Sequence, residues 1–251
     1  MQYNNNFTII IFHKGSDPRR ILNLKSLLFY LQSIAKFKII VIEQDKIELD
    51  KNEIKKFNVE YIFDYCDGEY CKSKAYNIAA NKVNTDFICF HDSDIIIQKH
   101  IYIFCINFFK EFDVIKPYNR IVEMNDIESD KFILDNEYFL STPLKTRESN
   151  ISGGIMFINR KAFWKIGGWD EEITGWGGED DIFDNKISKC LKLKLFSSIS
   201  LHLLHEKIYL KQGYHKNNHI VEKFIKLSKE QILKNAKLKG KKYESSTRNN
   251  F

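Results

Sequence analysis

Proline is scarce in this sequence. Three prolines in 251 residues, together with 43% hydrophobic and 14% aromatic residues, exclude a disordered or collagen-like chain and describe an ordered globular one. Long apolar runs are also missing. The longest, Ile101 to Phe109 (IYIFCINFF), is about half of the roughly 18 residues that a membrane-spanning helix needs. No basic segment precedes the apolar run of the start, MQYNNNFTIIIF, so no secretory leader is expected and the cytoplasm is the expected compartment. Cysteines are few and unpatterned. Cys66, Cys71, Cys89, Cys105 and Cys190 are odd in number and contain no C-x-x-C pair, which favours reduced thiols over a disulfide framework or a thiolate metal site.

Charge is unevenly spread. The net charge is +6, yet from Glu206 onward twelve Lys/Arg stand against four Asp/Glu, so the basic character belongs to the C-terminal end. We therefore divide the chain into a body, residues 1–205, and a basic helical extension, residues 206–251. Apolar positions Val221, Phe224, Ile225 and Ile232 beside many lysines fit an interfacial helix that meets an anionic membrane surface. The plainer reading of the same positions is a packed helix with a solvated basic face. No aromatic-basic platform is present, and nucleic acid is not an expected partner.

The body alternates strand-like and helix-like segments. Phe7 to Phe12 (FTIIIF), Lys38 to Ile42 (KIIVI), Val59 to Phe63 (VEYIF) and Asp86 to His91 (DFICFH) read as buried strands, with helical spacing from Arg19 to Leu31 and from Tyr70 to Val83 between them. This alternation predicts an α/β fold with a mostly parallel central sheet covered by helices on both faces. The second half reads as a loop-rich stretch over 120–152, a strand at 155–158 and a short helix near 161–166. A Gly/Trp loop follows over 167–178, then an acidic helix start, a strand near 191–200 and a basic helix over about 217–239. In parallel sheets ligands bind beyond the C-terminal ends of the strands. That rule draws attention to the segments HKGSD, EQD and HDSD.

Three motifs carry chemistry. Asp92-Ser93-Asp94 places two carboxylates just past a buried strand, where they can meet a divalent ion or a sugar hydroxyl; alone, it also suits a solvated strand end with capping aspartates. Gly175-Trp176-Gly177-Gly178-Glu179-Asp180-Asp181 combines a loop that can pass close to a ligand, an indole platform for a sugar ring, and three acids at a helix start. Helix capping accounts for one or two of those acids but not for the third or for the tryptophan. His202 and His205 form a pair that could close a site begun by Asp94. Mixed carboxylate and imidazole ligands on an ion that also holds phosphate oxygens suit Mn²⁺ best and Mg²⁺ next.

Asp-x-Asp after the fourth strand, Ser152-Gly153-Gly154-Ile155, then GGWDEEITGWGGEDD and a late histidine together resemble the GT-A glycosyltransferases. The resemblance is in particular to the β-1,4-galactosyltransferase family (glycosyltransferase family 7) and its bacterial family 2 relatives. It implies a GT-A, Rossmann-like catalytic domain over 1–205. It further implies a metal-dependent inverting transfer of a hexose or N-acetylhexosamine, galactose or N-acetylgalactosamine favoured, from a UDP-sugar donor to a saccharide or lipid-linked saccharide acceptor. Such an enzyme would serve bacterial surface-glycan synthesis, in the cytoplasm or on the inner face of the membrane.

Carried over residue by residue, the resemblance implies that Asp94, His205 and His202 bind the metal and that Asp92 faces the donor. Asp180 is the implied base with Glu179 beside it, and both belong with Trp176 to the acceptor region; Trp176 and Gly154 also contact the donor. Lys72 is implied near the diphosphate, Asn77 as a structural residue, Arg20 at the donor and Glu43 at its base. The tyrosine of galactose-specific members is matched by Ile151, which leaves room beside the 2-substituent of the sugar. The alternatives are a catalytically silent sugar-nucleotide-binding protein of the same fold and a membrane-surface-binding basic protein.

Overall fold

The computed structural model describes residues 6–15, 17–140, 145–206 and 211–247, with side chains for all of these except 211–215 and 239–247. The strands are β1 Phe7–His13, β2 Lys38–Asp45, β3 Glu60–Tyr65, β4 Phe87–Asp92, β5 Ile95–Ile96, β6 Val114–Lys116, β7 Arg120–Glu123, β8 Thr146–Glu148, β9 Ile155–Asn159, β10 Leu193–Leu195 and β11 Ile199–His202. The helices are α1 Pro18–Ile34, α2 Lys51–Lys55, α3 Lys72–Lys82, α4 Lys99–Phe104, α5 Asp126–Asp135, α6 Arg160–Lys165, α7 Glu179–Cys190, α8 Lys211–Ile225 and α9 Lys229–Thr247.

A seven-stranded sheet in the order β10-β6-β9-β4-β1-β2-β3 forms the centre. All its pairings are parallel except those of β9, which runs antiparallel to β4 and β6. The β-branched run of β1 explains its central place, because alternate residues enter opposite layers. Ile9 and Ile11 pack with Leu24, Leu27 and Leu28 of α1 on one face. Ile10 packs with Ala75, Tyr76 and Ala79 of α3 and with Phe163 and Phe183 on the other. The expected strands and helices of the first half are thus present, and the helix-covered, mostly parallel sheet is the observed architecture.

The second half departs from the pattern reading in three places. The stretch 120–152 is not merely loop: it contains β7, β8 and α5, the last begun by a capping box between Asn125 and Glu128 and ended by Asn136 in the left-handed conformation at φ 53°. The single strand expected over 191–200 is two strands, β10 and β11, that belong to different sheets. The second, four-stranded sheet has the order β5-β11-β7-β8. Finally, the basic helix expected over 217–239 is two helices, because Ser228 restarts the chain: Gln231 Oε1 accepts the Ser228 N–H at 2.7 Å and Ser228 Oγ accepts the Gln231 N–H.

The apolar face of the C-terminal helices is occupied. Phe224 is buried against Ile173 and Ile182, with Val221 beside them, and Ile232 and Ala236 are buried as well. Gly167 permits the approach of α9, since a Cβ there would lie 3.0 Å from Ala236 Cα. The reading of Val221, Phe224 and Ile232 as a free interfacial face is corrected accordingly, while Ile225 stays 42% exposed. No helix among the described residues is long and apolar enough to cross a membrane.

Candidate active site and metal centre

The site lies where β4 ends. Asp92 closes that strand, and a turn carries the chain through Asp94 into β5. Strand β11 runs antiparallel to β5 with His202 opposite Ile95, next to Asp94, and the Leu203 N–H donates to the Asp94 carbonyl at 2.8 Å. Backbone pairing between residues over a hundred positions apart therefore sets the two histidines against the carboxylate. His205 Nε2 lies 3.2 Å from Asp94 Oδ2 and His202 Nε2 lies 3.8 Å from Oδ1. One ligand atom from each of Asp94, His202 and His205 falls within 4.8 Å of the others, a spacing that a single metal ion can bridge.

The outer nitrogens of both rings are held. His202 Nδ1 is 2.7 Å from Glu123 Oε2, and Glu123 is its register partner across the parallel β7–β11 pair. Arg147 in turn donates to Glu123 at 2.6 Å. His205 Nδ1 is 2.9 Å from the Glu206 carbonyl and 2.9 Å from an Arg20 guanidinium nitrogen. With Nδ1 of each ring held on the outer side, Nε2 is the atom that faces Asp94 and the one a metal ion would take on displacing its proton. Burial alone would lower the His202 pKa, but Asp94 and Glu123 raise it to about 9. Burial works to raise the Asp94 pKa, yet the two imidazoles hold it well below the ordinary carboxylate range. These are the signs of groups organised to share one positive charge.

A second cluster faces the first across the strand end. Lys72, at the start of α3, pairs with Asp92 at 2.8 Å, and the Tyr76 hydroxyl donates to the same carboxylate oxygen at 3.1 Å. The Asp92 N–H donates to the Gly154 carbonyl at 2.8 Å. Gly154 has φ 81°, and a Cβ there would fall 2.0 Å from the Tyr118 hydroxyl oxygen, so only glycine fits. Glu179 and Asp180 open α7 after Gly178, itself at φ 99°. Burial raises the Asp180 carboxyl to about 7 against the opposing pull of Lys72, and Glu179 is raised by burial too. A half-buried carboxylate poised near neutrality suits general-base work.

Trp176 is 47% exposed on a loop whose flanks are fastened. The Gly175 N–H donates to the Tyr70 carbonyl at 2.7 Å, Thr174 Oγ donates to Glu69 at 2.8 Å, and the buried Asn217 of α8 donates to the Thr174 and Gly177 carbonyls at 3.1 and 2.8 Å. Trp169, by contrast, is core, stacked 4.0 Å from Phe183. Asn77 bonds both backbone groups of Trp169 at 3.0 Å, in keeping with a structural role. Glu43 stands apart from both clusters: Tyr61 and the Leu49 N–H already occupy its Oε2, and burial raises its pKa.

Residue patterns missed several participants. Glu123 had no signal beyond its place at a strand end. Asp184 accepts the Ile151 and Ser152 N–H groups at 2.8 Å each; its position one turn after Asp180 on α7 was the available clue. His91, fully buried between the Tyr102 hydroxyl and the Asp92 carbonyl at 2.7 Å each, is held neutral because burial pushes its pKa down to about 4.

A mostly parallel, helix-covered sheet with an Asp/His/His group at its strand ends and an acidic helix start across from it has the architecture of the GT-A fold. More particularly, residues 139–206 match the family model described as N-terminal domain of galactosyltransferase, a segment that holds Ser152–Gly154, Trp176, Asp180, His202 and His205. Human beta-1,4-galactosyltransferase 4 is 26% identical over 130 residues, 48% of this chain and 30% of that one. A Drosophila melanogaster polypeptide N-acetylgalactosaminyltransferase 11, inactive according to its name, is 30% identical over 79 residues, 29% of this chain and 14% of that one. The chain thus spans less than a third of the length of these curated relatives. Among solved structures, S. aureus TarS 1-349 in complex with UDP superposes with a TM-score of 0.58 at 16% identity, covering 90% of this chain and 68% of that one. GalNAc-T7 with UDP, GalNAc and Mn²⁺ gives a TM-score of 0.56 at 14% identity over 89% of this chain and 48% of that one.

Proposed function

We propose that the chain is a metal-dependent inverting glycosyltransferase that moves a hexose or N-acetylhexosamine from a UDP-sugar to a saccharide hydroxyl. The observation that carries this reading is the juxtaposition of the Asp94, His202 and His205 ligand group with an Asp180 carboxyl whose pKa is raised to about 7. The donor set fits a divalent cation: one carboxylate and two imidazoles, with outer nitrogens bound to Glu123 and to a backbone carbonyl, suit Mn²⁺ or Mg²⁺ that also binds phosphate oxygens. When bound there, the cation supplies Lewis-acid neutralisation of the departing diphosphate.

The remaining steps belong to the protein's own residues. Asp180 accepts the proton of the acceptor hydroxyl, which attacks the anomeric carbon from the face opposite the nucleotide. Lys72, paired with Asp92 at 2.8 Å, lies where it can exchange that partner for the diphosphate. Trp176 offers its exposed ring to a sugar face. Ile151, which by the resemblance stands where galactose-specific enzymes carry a tyrosine, leaves space for an N-acetyl group, so UDP-N-acetylgalactosamine stands beside UDP-galactose as a donor. Competition between UDP-galactose and UDP-N-acetylgalactosamine tests this point, and rejection of the latter overturns it.

The cytoplasmic setting and a role in surface-glycan synthesis belong to the same proposal, with a lipid-linked saccharide as acceptor. Fractionation of cells expressing the full chain, with and without a salt wash, tests the setting. Recovery outside the cytoplasmic and peripheral fractions contradicts it.

A further inference from the structure

A lysine sealed from water stands beneath the acidic helix start. Lys116, the last residue of β6, has 0% exposure, and its ammonium donates to the Gly153 carbonyl and, at 3.2 Å, to the Ile155 carbonyl. The Tyr118 ring centroid is 3.9 Å away. Burial drives the Lys116 pKa down to about 7, while Asp180, Asp184 and Asp92 pull the other way. Apolar packing alone would not place a lysine here, since an ammonium is costly to bury.

The same loop is gripped from its other side. Asp184 accepts the Ile151 and Ser152 N–H groups at 2.8 Å each and the Ser152 hydroxyl at 2.5 Å. Between the two anchors lies Gly153, whose bare Cα faces the base: a Cβ there would sit 3.0 Å from Asp180 Oδ2. Asp180 Oδ1 is buried with no hydrogen-bond partner among the described residues. Oδ1 is therefore placed by the loop beside it and by the start of α7.

We propose that Lys116 and Asp184 are positioning residues that pin the 151–155 loop from opposite sides and so seat the Asp180 carboxylate for proton removal. The inference rests on the reading of Asp180 as the base. The charged groups whose fields reach Asp180 are Lys72 from α3, Asp92 from β4, Lys116 from β6, and Glu179 and Asp184 from α7. Lys116 and Asp184 act on its proton with opposite sign: the ammonium favours the ionised carboxylate and the neighbouring carboxylate opposes it.

That opposition makes the test specific. In the full chain with saturating Mn²⁺, Lys116→Met and Asp184→Asn are each expected to lower kcat for UDP release about tenfold or more at pH 8 with donor KM within about twofold. UDP-galactose and UDP-N-acetylgalactosamine are the probes. The acid limb of kcat moves to higher pH in Lys116→Met and to lower pH in Asp184→Asn, by roughly half a unit or more. A ¹³C-labelled Asp180 carboxyl, assigned from its loss in Asp180→Asn, reads the same two shifts by NMR without any substrate.

A general loosening of the fold does not produce shifts of opposite sign. Unchanged kcat, or pKa shifts of the same sign in both variants, overturns the inference. If Lys116→Met does not fold, Asp184→Asn decides alone, and an Asp180 pKa that stays or rises overturns it. Asp180→Asn separates the two claims. Near-normal turnover there removes the base reading itself, whereas a silent Asp180→Asn beside unaffected Lys116→Met and Asp184→Asn removes only the positioning pair.

Discussion

At single residues, the chemistry of the site turns on which protons are held and where. Burial raises Asp180 to about 7, so turnover is expected to fall about tenfold per pH unit below that value as the base becomes protonated. Asp180→Asn should bind donor yet lose on the order of 10² to 10⁴ in rate; calorimetric donor binding beside a UDP-release assay checks both halves. The same shift has a consequence for stability. A carboxyl whose folded-state pKa is raised contributes stability below its unfolded pKa of about 4, and that contribution is lost as pH rises through about 7. Asp180→Asn is therefore expected to melt higher than wild type at pH 8 and level with it at pH 4, as followed by scanning calorimetry. At the metal group, Glu123→Gln removes the charge that orients His202 and should weaken Mn²⁺ binding roughly 10- to 100-fold in titration calorimetry. His205→Ala should weaken it further.

Between residue and molecule stand the elements that bring distant residues together. The carbonyl of Gly154 holds the end of β4 through the Asp92 N–H, and its missing side chain makes room for Tyr118. Gly154→Ala should cost on the order of 1–3 kcal/mol or more from the positive φ and the clash combined, measured by urea unfolding. What was legible in the sequence follows the same division. The strands β1, β2 and β4 were readable because each is a short apolar run buried on both faces, and the motif at Trp176 to Asp181 because helix capping explains neither its third acid nor its tryptophan. The site residues Asp94, His202 and His205 were readable as types but not as neighbours: the β5–β11 register that joins them lies in strands of two and four residues, too short to leave a period. Lys116 was silent because a lone charge after an apolar strand looks like solvent exposure until the fold covers it, and Glu123 because its part is set by the β7–β11 register that puts it opposite His202. The break at Ser228 had a visible signal, Ser-Lys-Glu-Gln, masked by the continuous basic composition around it.

For the whole molecule, helices α8 and α9 pack against the body through their described residues. Phe224, Ile232 and Ala236 are buried, and Asn217 reaches back to fasten the loop that carries Trp176. Deletion of residues 211–251 is expected to expose Ile173 and Ile182 and to lower the melting temperature and solubility together. Asn217→Ala, which keeps the helix, should lower kcat/KM for the acceptor and, with the Thr174 and Gly177 carbonyls left without its amide, cost on the order of 1–3 kcal/mol of stability. The central claim, metal-assisted transfer from a UDP-sugar by this site, is tested most directly by UDP release from a panel of UDP-sugars with saccharide acceptors, in Mn²⁺, in Mg²⁺ and in chelator. Release from one donor that requires the cation and is lost in both Asp180→Asn and His205→Ala is the expected result. Release that persists in chelator, or donor binding without release under any of these conditions, would contradict it.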